Sequence, residues 1–141
     1  MKIVKNINVM LSIFLVALLS TSCSSQQSSK ADSNRICAFV ENYLDDKASA
    51  LSSAAEGGSA EDWVKFSTVT LSTAIQKNTE AEVIYNKYLQ ALTIWSREID
   101  KYVKVKNESQ LRIATIELEN RIDEIVPMCE SIGWNFKKGW R

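Results

Sequence analysis

TEAEVIYNKYLQALTIWSREIDKYVK, residues 79–104, is the stretch that decides the fold. Thr79 with Glu82 three residues on is a capping box, in which hydroxyl and carboxylate satisfy the free N–H groups of a helix start. From there Ile84, Tyr88, Ala91, Trp95 and Tyr102 form one apolar stripe, and Tyr85, Leu89, Leu92, Ile99 and Val103 form a second beside it. Recurrence at three, four and seven residues belongs to a helix. A face two stripes wide needs two neighbours to cover it, so this helix is expected in the interior of a bundle.

The flanking sequence supplies those neighbours. Downstream, Asn107-Glu108-Ser109-Gln110 precedes a helix over about 109–132, with Leu111, Ala114, Leu118, Ile122, Ile125, Cys129 and Ile132 on one face. Pro127 falls inside it and predicts a kink or short break near Val126, and Gly133 can end it. Upstream, Ser59 can cap a helix over 60–77 whose first turn holds Glu61 and Asp62, the charge that a helix start favours. Its apolar residues are Trp63, Val64, Phe66, Leu71 and Ile75; Ser67, Thr68, Thr70, Ser72 and Thr73 are mediocre helix formers. A first helix starts near Asp32 or Ser33 and runs to Glu56, with Ile36, Val40, Tyr43, Leu44 and Leu51 inward and Glu41, Asp45 and Asp46 on the other face. Gly57-Gly58 stops it. With only one proline and four glycines and little strand-type alternation, turn signals are too few for a sheet. The expected fold is all-α: an up-down-up-down four-helix bundle over residues 33–133.

Ahead of the bundle the sequence changes character. MKIVKNIN carries Lys2 and Lys5 and no acid, and Val9 to Leu19 follows without a charge. That run is shorter than the roughly 20 apolar residues needed to cross a bilayer core, and basic head, apolar core and small residues make a secretory signal. Ser20-Thr21-Ser22-Cys23 comes next. It resembles the lipobox of bacterial lipoproteins, which implies cleavage after Ser22, removal of residues 1–22 and a diacylglyceryl thioether, a palmitate-type anchor, on Cys23. Ser20 stands where that motif more often has leucine, and Ser20-x-Ser22 also suits ordinary signal peptidase, giving a secreted chain. Residues 23–32, CSSQQSSKAD, are polar and serine-rich, as in a flexible tether.

The cysteines number three, Cys23, Cys37 and Cys129. An odd thiol in an exported protein invites intermolecular pairing. With Cys23 alkylated, Cys37 and Cys129 form an even set in an oxidising compartment. The up-down topology puts the start of the first helix and the end of the last at one end, where these two cysteines fall, so bundle and disulfide predict each other. The tail WNFKKGWR, residues 134–141, leaves from that end; its tryptophans are expected to cover the open core, the other use being contact with lipid headgroups.

Composition narrows the function classes. Losing Lys2 and Lys5 lowers 17 basic residues to 15 against 17 acidic, a net of −2, whereas nucleic acid asks for a basic face. There is no histidine, which excludes Ser-His-Asp and Cys-His nucleophilic sites, HExxH and the Glu-x-x-His of di-iron bundles. No phosphate-binding glycine loop, dinucleotide fingerprint or nucleophile elbow occurs; no cofactor and no metal are expected. Carboxylates remain: Glu41 with Asp45 on the first helix, and Glu117, Glu119, Asp123 and Glu124 on the fourth. Paired acids can run glycoside hydrolysis or hold a divalent cation, though solvated helix faces carry such residues more often.

The pattern of Cys23, Cys37, Cys129 and helical periodicity is similar to a loose group of small bacterial lipoproteins, especially actinobacterial ones. The resemblance implies location more than activity. Two functions are expected in that order. The first is a lipid-anchored, non-enzymatic binding module outside a bacterial membrane, with an envelope protein, wall polymer or small apolar ligand as partner. The second is a carboxylate-dependent hydrolase or cation-binding protein of the envelope.

Overall fold

A computed structural model describes residues 30–77 and 79–141. The expected signal segment, Cys23 and the expected tether up to Ser29 lie outside the described residues. Those described are all-helical, without strands. Helix α1 covers 30–41, α2 Tyr43–Ala55, α3 Ala60–Ser72, α4 Glu80–Val103 and α5 Glu108–Ser131. None of them is long and apolar enough to cross a membrane.

Two expectations are corrected at the start of the chain. Lys30, Ala31 and Asp32, placed in the tether, are already helical. The Asp32 carboxylate accepts the Gln76 N–H at 3.1 Å and Ser33 is buried, so this turn has partners to hold it. The expected single first helix is two segments. At Asn42 the backbone leaves helical values (φ −94°, ψ 13°), and its N–H is shared between the carbonyls of Ala38 and Phe39 at 3.1 and 3.0 Å.

Three helix ends are closed the same way. Past α2, the N–H groups of Gly57 and Gly58 reach the carbonyls of Ala54 and Ser53 at 3.3 and 2.9 Å. Past α5, Gly133 and Trp134 reach Glu130 and Cys129, both at 3.0 Å. Between α4 and α5, Lys106 and Asn107 reach Val103 and Tyr102 at 3.2 and 3.1 Å. Each is a Schellman closure, which needs a left-handed residue just past the helix. Gly57, Gly133 and Lys106 supply it, at φ 92°, 90° and 52°. Gly58 is needed for room instead: a Cβ there would lie 2.8 Å from the Ser53 hydroxyl and 2.9 Å from its carbonyl.

Helix α3 ends at Ser72, short of the expected 77. Its Ser67 and Thr68 hydroxyls both donate to the Val64 carbonyl and Ser72 donates to that of Val69, the back-bonding that makes such residues poor helix interior. Helix α4 begins on the predicted cap, Thr79 accepting the Glu82 N–H at 3.3 Å. Helix α5 runs continuously through Pro127, so of the expected kink or short break the break does not occur.

Helix α4 packs against α5, α3 and α2, and α2 also packs on α3. Both of its predicted stripes are used: Ile84, Tyr88, Ala91 and Trp95 from one, Tyr85, Leu92 and Ile99 from the other, are buried. Opposite them stand Ala114, Leu118, Ile122 and Ile125 of α5. On α2 the buried residues are Tyr43, Ala50 and Ala54, and on α3, against which it packs, they include Ala60 and Val64, while Leu51 stays 41% exposed. Small alanines admit the close approach and Leu51, one residue round the helix, falls on the flank. Phe66, expected inside, is 78% exposed.

Candidate functional site

Cys37 and Cys129 are joined by a disulfide, with Cα atoms 5.7 Å apart. Both are fully buried, and thiol exchange requires an attacking thiolate to reach a sulfur. This bridge is a structural tie between α1 and α5.

The tail seals that end. Trp134, Phe136 and Trp140 pack on the core, Phe136 stacking on Trp140 with centroids 4.4 Å apart and Tyr43 meeting the Trp140 ring edge-on at 5.9 Å. Arg141 lies over the Trp140 ring and pairs with Asp123. The Glu41 carboxylate accepts the Lys137 N–H at 2.7 Å and is buried. Its place on the solvated face, expected from helical spacing, is thus corrected: the returning tail covers it. Lys137, Lys138 and Trp140 with Glu41 and Asp45 border a cavity of about 280 Å³.

The structure does not bring the α5 carboxylates to one point. Glu117 pairs with Arg121 at 2.8 Å, Glu119 with Lys47 of α2 at 3.2 Å, and Asp123 with Arg141; Glu124 is exposed. Among the described residues no three of His, Cys, Asp and Glu gather as they would around a metal.

Two other carboxylates matter more to the interior, and their surroundings push them opposite ways. Asp46 lies 2.8 Å from the Tyr88 hydroxyl, which is also 3.2 Å from the Phe39 carbonyl. Burial raises the Asp46 pKa against the lowering by that hydrogen bond, with Asp45 adding to the rise. Burial, with Asp46 beside it, pushes the Tyr88 phenol well above its usual range. Asp100 of α4 sits at the start of α3, accepting from the Ser59 hydroxyl at 2.7 Å and from the Ala60 and Glu61 N–H groups at 2.7 and 3.1 Å. Burial acts to raise its pKa, but those donors together with Lys104 outweigh it and hold the carboxyl below its usual value. Glu61 is lowered by Arg97 and then Lys65.

The surface that offers binding is a groove of about 220 Å³ between α4 and α5. Ala91 and Ala114 leave room, Ile94, Trp95 and Ile113 line it, and Glu98, Glu117 and Arg121 border it. The Arg121 guanidinium holds Glu117 through Nη2, while its Nε is buried with no hydrogen-bond acceptor. Sequence reading placed Ala91 and Ala114 in the core, where they are indeed buried, and overlooked the groove beside them and Arg121 at its border. The available signal was an alanine inside the apolar stripe of each of two adjacent helices. The chain matches no protein-family model, and no curated protein and no solved structure matches it.

Proposed function

We propose that the chain is a non-enzymatic binding module, lipid-anchored through Cys23 to the outer face of a bacterial membrane, with its helices in up-down-up-down order. The order is supported by which residues meet. Cys37 meets Cys129 and Lys47 meets Glu119, so the first helical unit and α5 run oppositely. Ser59 meets Asp100 while Glu61 meets Arg97 at 3.1 Å, so α3 and α4 do too. The Gln76 N–H just past α3 meets Asp32 at the start of the first unit, which supports those two running oppositely as well, and with α1 and α2 counted as one interrupted helix these contacts favour four alternating elements. The anchor is supported by the signal-like start, by the resemblance of Ser20 to Cys23 to a lipobox, and by Cys37 and Cys129 having each other as partners.

The observation that carries the binding role is the groove itself, apolar in lining, charged at its rim and open to solvent. Small-molecule sites commonly occupy about 300–1,000 Å³, so a groove of about 220 Å³ suits side chains of an envelope protein better than a whole small apolar ligand. Non-reducing peptide mass mapping of protein from the membrane fraction tests the anchor. The expected result is a diacylglyceryl-modified Cys23 peptide together with a Cys37–Cys129 crosslink. An unmodified Cys23, or one paired with Cys37 or Cys129, would overturn it.

A further inference from the structure

The groove has a companion on the same helix pair. A second cavity, of about 280 Å³, is lined by Glu80, Val83 and Ile84 of α4, Met128 and Ser131 of α5, and Ile132 just past its end. At about 100° per residue, Ile84 and Ala91 differ by only about 20° around α4, and Ala114 and Met128 by about 40° around α5. The two cavities therefore fall on one stripe of each helix, as two openings along the α4–α5 seam with the buried Tyr88 and Ile125 packed between them. Val83 to Ile94 along α4 is about 16 Å, and Ile113 to Met128 along α5 about 22 Å. That separation is three to four turns of a helix.

The rim has a sign. Glu80, Glu98 and Glu117 border the openings with Arg121, and exposed Glu124 and Lys87 lie between them on the same stripes, a net of −2 from four acids and two bases. Arg121 is already engaged by Glu117, and its buried Nε lacks an acceptor. Val83 and Ile113, at the edges of the two openings, are 49% and 52% exposed.

We propose that this groove docks a basic amphipathic helix of a partner protein. The proposal deepens the binding-module reading and rests on it. Apolar anchors of the partner at i and about i+11 to i+14 would enter the two cavities, as in other helix-in-groove recognition. Lysine or arginine beside them would meet Glu80, Glu98 and Glu117, and a side-chain oxygen would take the Arg121 Nε–H. A membrane surface is the weaker fit, since anionic headgroups attract basic segments and not an acidic rim.

The probe is a fluorescent synthetic helix of about 21 residues, leucine on one face and lysine on the other, with a photo-crosslinker at one leucine, titrated against the full chain and read by anisotropy. Val83→Asn or Ile113→Asn should weaken binding at least ~10-fold, Glu98→Lys or Glu117→Lys by a few-fold with a flatter salt dependence, and Phe66→Asn not at all. Both groove asparagines replace half-exposed residues; retained helical circular dichroism confirms folding, and crosslinks to α4 and α5 locate the probe whatever a variant does. Equal binding of a sequence-scrambled peptide, crosslinks confined to other faces, or dodecylamine occupying the groove where the peptide does not, would overturn the proposal. Crosslinks on another face would sink the groove and leave a binding module standing. An unmodified Cys23 would sink the anchor and leave the groove.

Discussion

The end of the molecule that holds Cys37 and Cys129 and the end that holds Ser59 and Asp100 are closed by different physics. At the first, a covalent bond ties α1 to α5 and the aromatic tail lies back over the joint, with a buried Glu41 receiving the Lys137 N–H. At the second no crosslink occurs among the described residues, and no returning tail lies over the core-packed Trp63, Val103 and Leu111. One carboxylate, Asp100, gathers the donors at the start of α3, and a tight turn through Lys106 joins α4 to α5. The first end is held by restricting the unfolded chain and burying rings, the second by charge and backbone geometry. Conditions should therefore separate them: reductant and truncation act on one, pH on the other.

The largest effect should come from opening the covalent end. A bridge spanning 92 residues corresponds to roughly 4.6 kcal/mol of loop-closure entropy, and native bridges deliver about 2–5. Cys37→Ala with Cys129→Ala should lower unfolding free energy by about 4 kcal/mol in a urea titration, with the native helical signal retained in buffer. A loss under ~1 kcal/mol would mean that the tail and core already hold α1 to α5. Next is the strap. Trp140→Ala removes the ring that touches Phe136, Tyr43 and Arg141. Because the indole is only half-buried, about 2 kcal/mol is expected, below the 3–5 of a fully buried aromatic. If the tail adds to the bridge independently, the two losses should sum; a shortfall in the combined variant would show that they share one joint.

At the opposite end, Asp100→Asn should cost about 1–2 kcal/mol near neutral pH, the scale of a lost charged cap. Its pH signature is sharper than its size. The folded pKa of Asp100 is depressed, so its contribution is present above the unfolded value and disappears as pH falls through the folded one. Asp46 has the reverse sign. Its folded pKa is raised, so it favours the fold below its unfolded value and that gain is lost as pH rises through the folded value. Protonated, Asp46 can donate to Tyr88, leaving the phenol proton for the Phe39 carbonyl. Urea titrations from pH 3 to 7 should show Asp100→Asn removing an acid-side loss and Asp46→Asn removing an acid-side gain. The same change in slope for both variants would refute the opposition.

What the sequence disclosed about these ends is uneven, for a physical reason. Thr79, Ser59, Gly57 and Gly133 act where local rules place them, because caps and left-handed turns depend on a few neighbouring residues. The disulfide was legible once Cys37 and Cys129 were set on the first and last helices. Glu41, Asp46 and Asp100 were not. By spacing alone Glu41 and Asp46 belong on a polar face, and only the returning tail and the position of Tyr88 bury or half-bury them. Phe66 erred the other way: Val64, Thr68 and Leu71 make the inward face, and Phe66 lies about 200° round the helix from Val64. The groove escaped for a related reason: an alanine in an apolar stripe reads as core whether its neighbours close over it or leave a gap.

The smallest effect tests whether the far end is held by geometry alone. Lys106 occupies, at φ 52°, the position that Gly57 and Gly133 fill at φ 92° and 90°. A side chain in the left-handed region costs about 1 kcal/mol or more, while glycine gives back part of that through the freedom it adds to the unfolded chain. Lys106→Gly should thus stabilise the fold by about 0.5 kcal/mol. Gly57→Ala and Gly133→Ala should each cost about 1 kcal/mol, and because a Cβ at either would meet nothing within 4 Å, that cost is conformational and not steric. A set of thermal melts under matched buffer would distinguish these signs. Were Lys106→Gly to destabilise instead, the Lys106 side chain would have to contribute more than its backbone strain removes, and the far end would be held by charge at this turn as well as at Asp100.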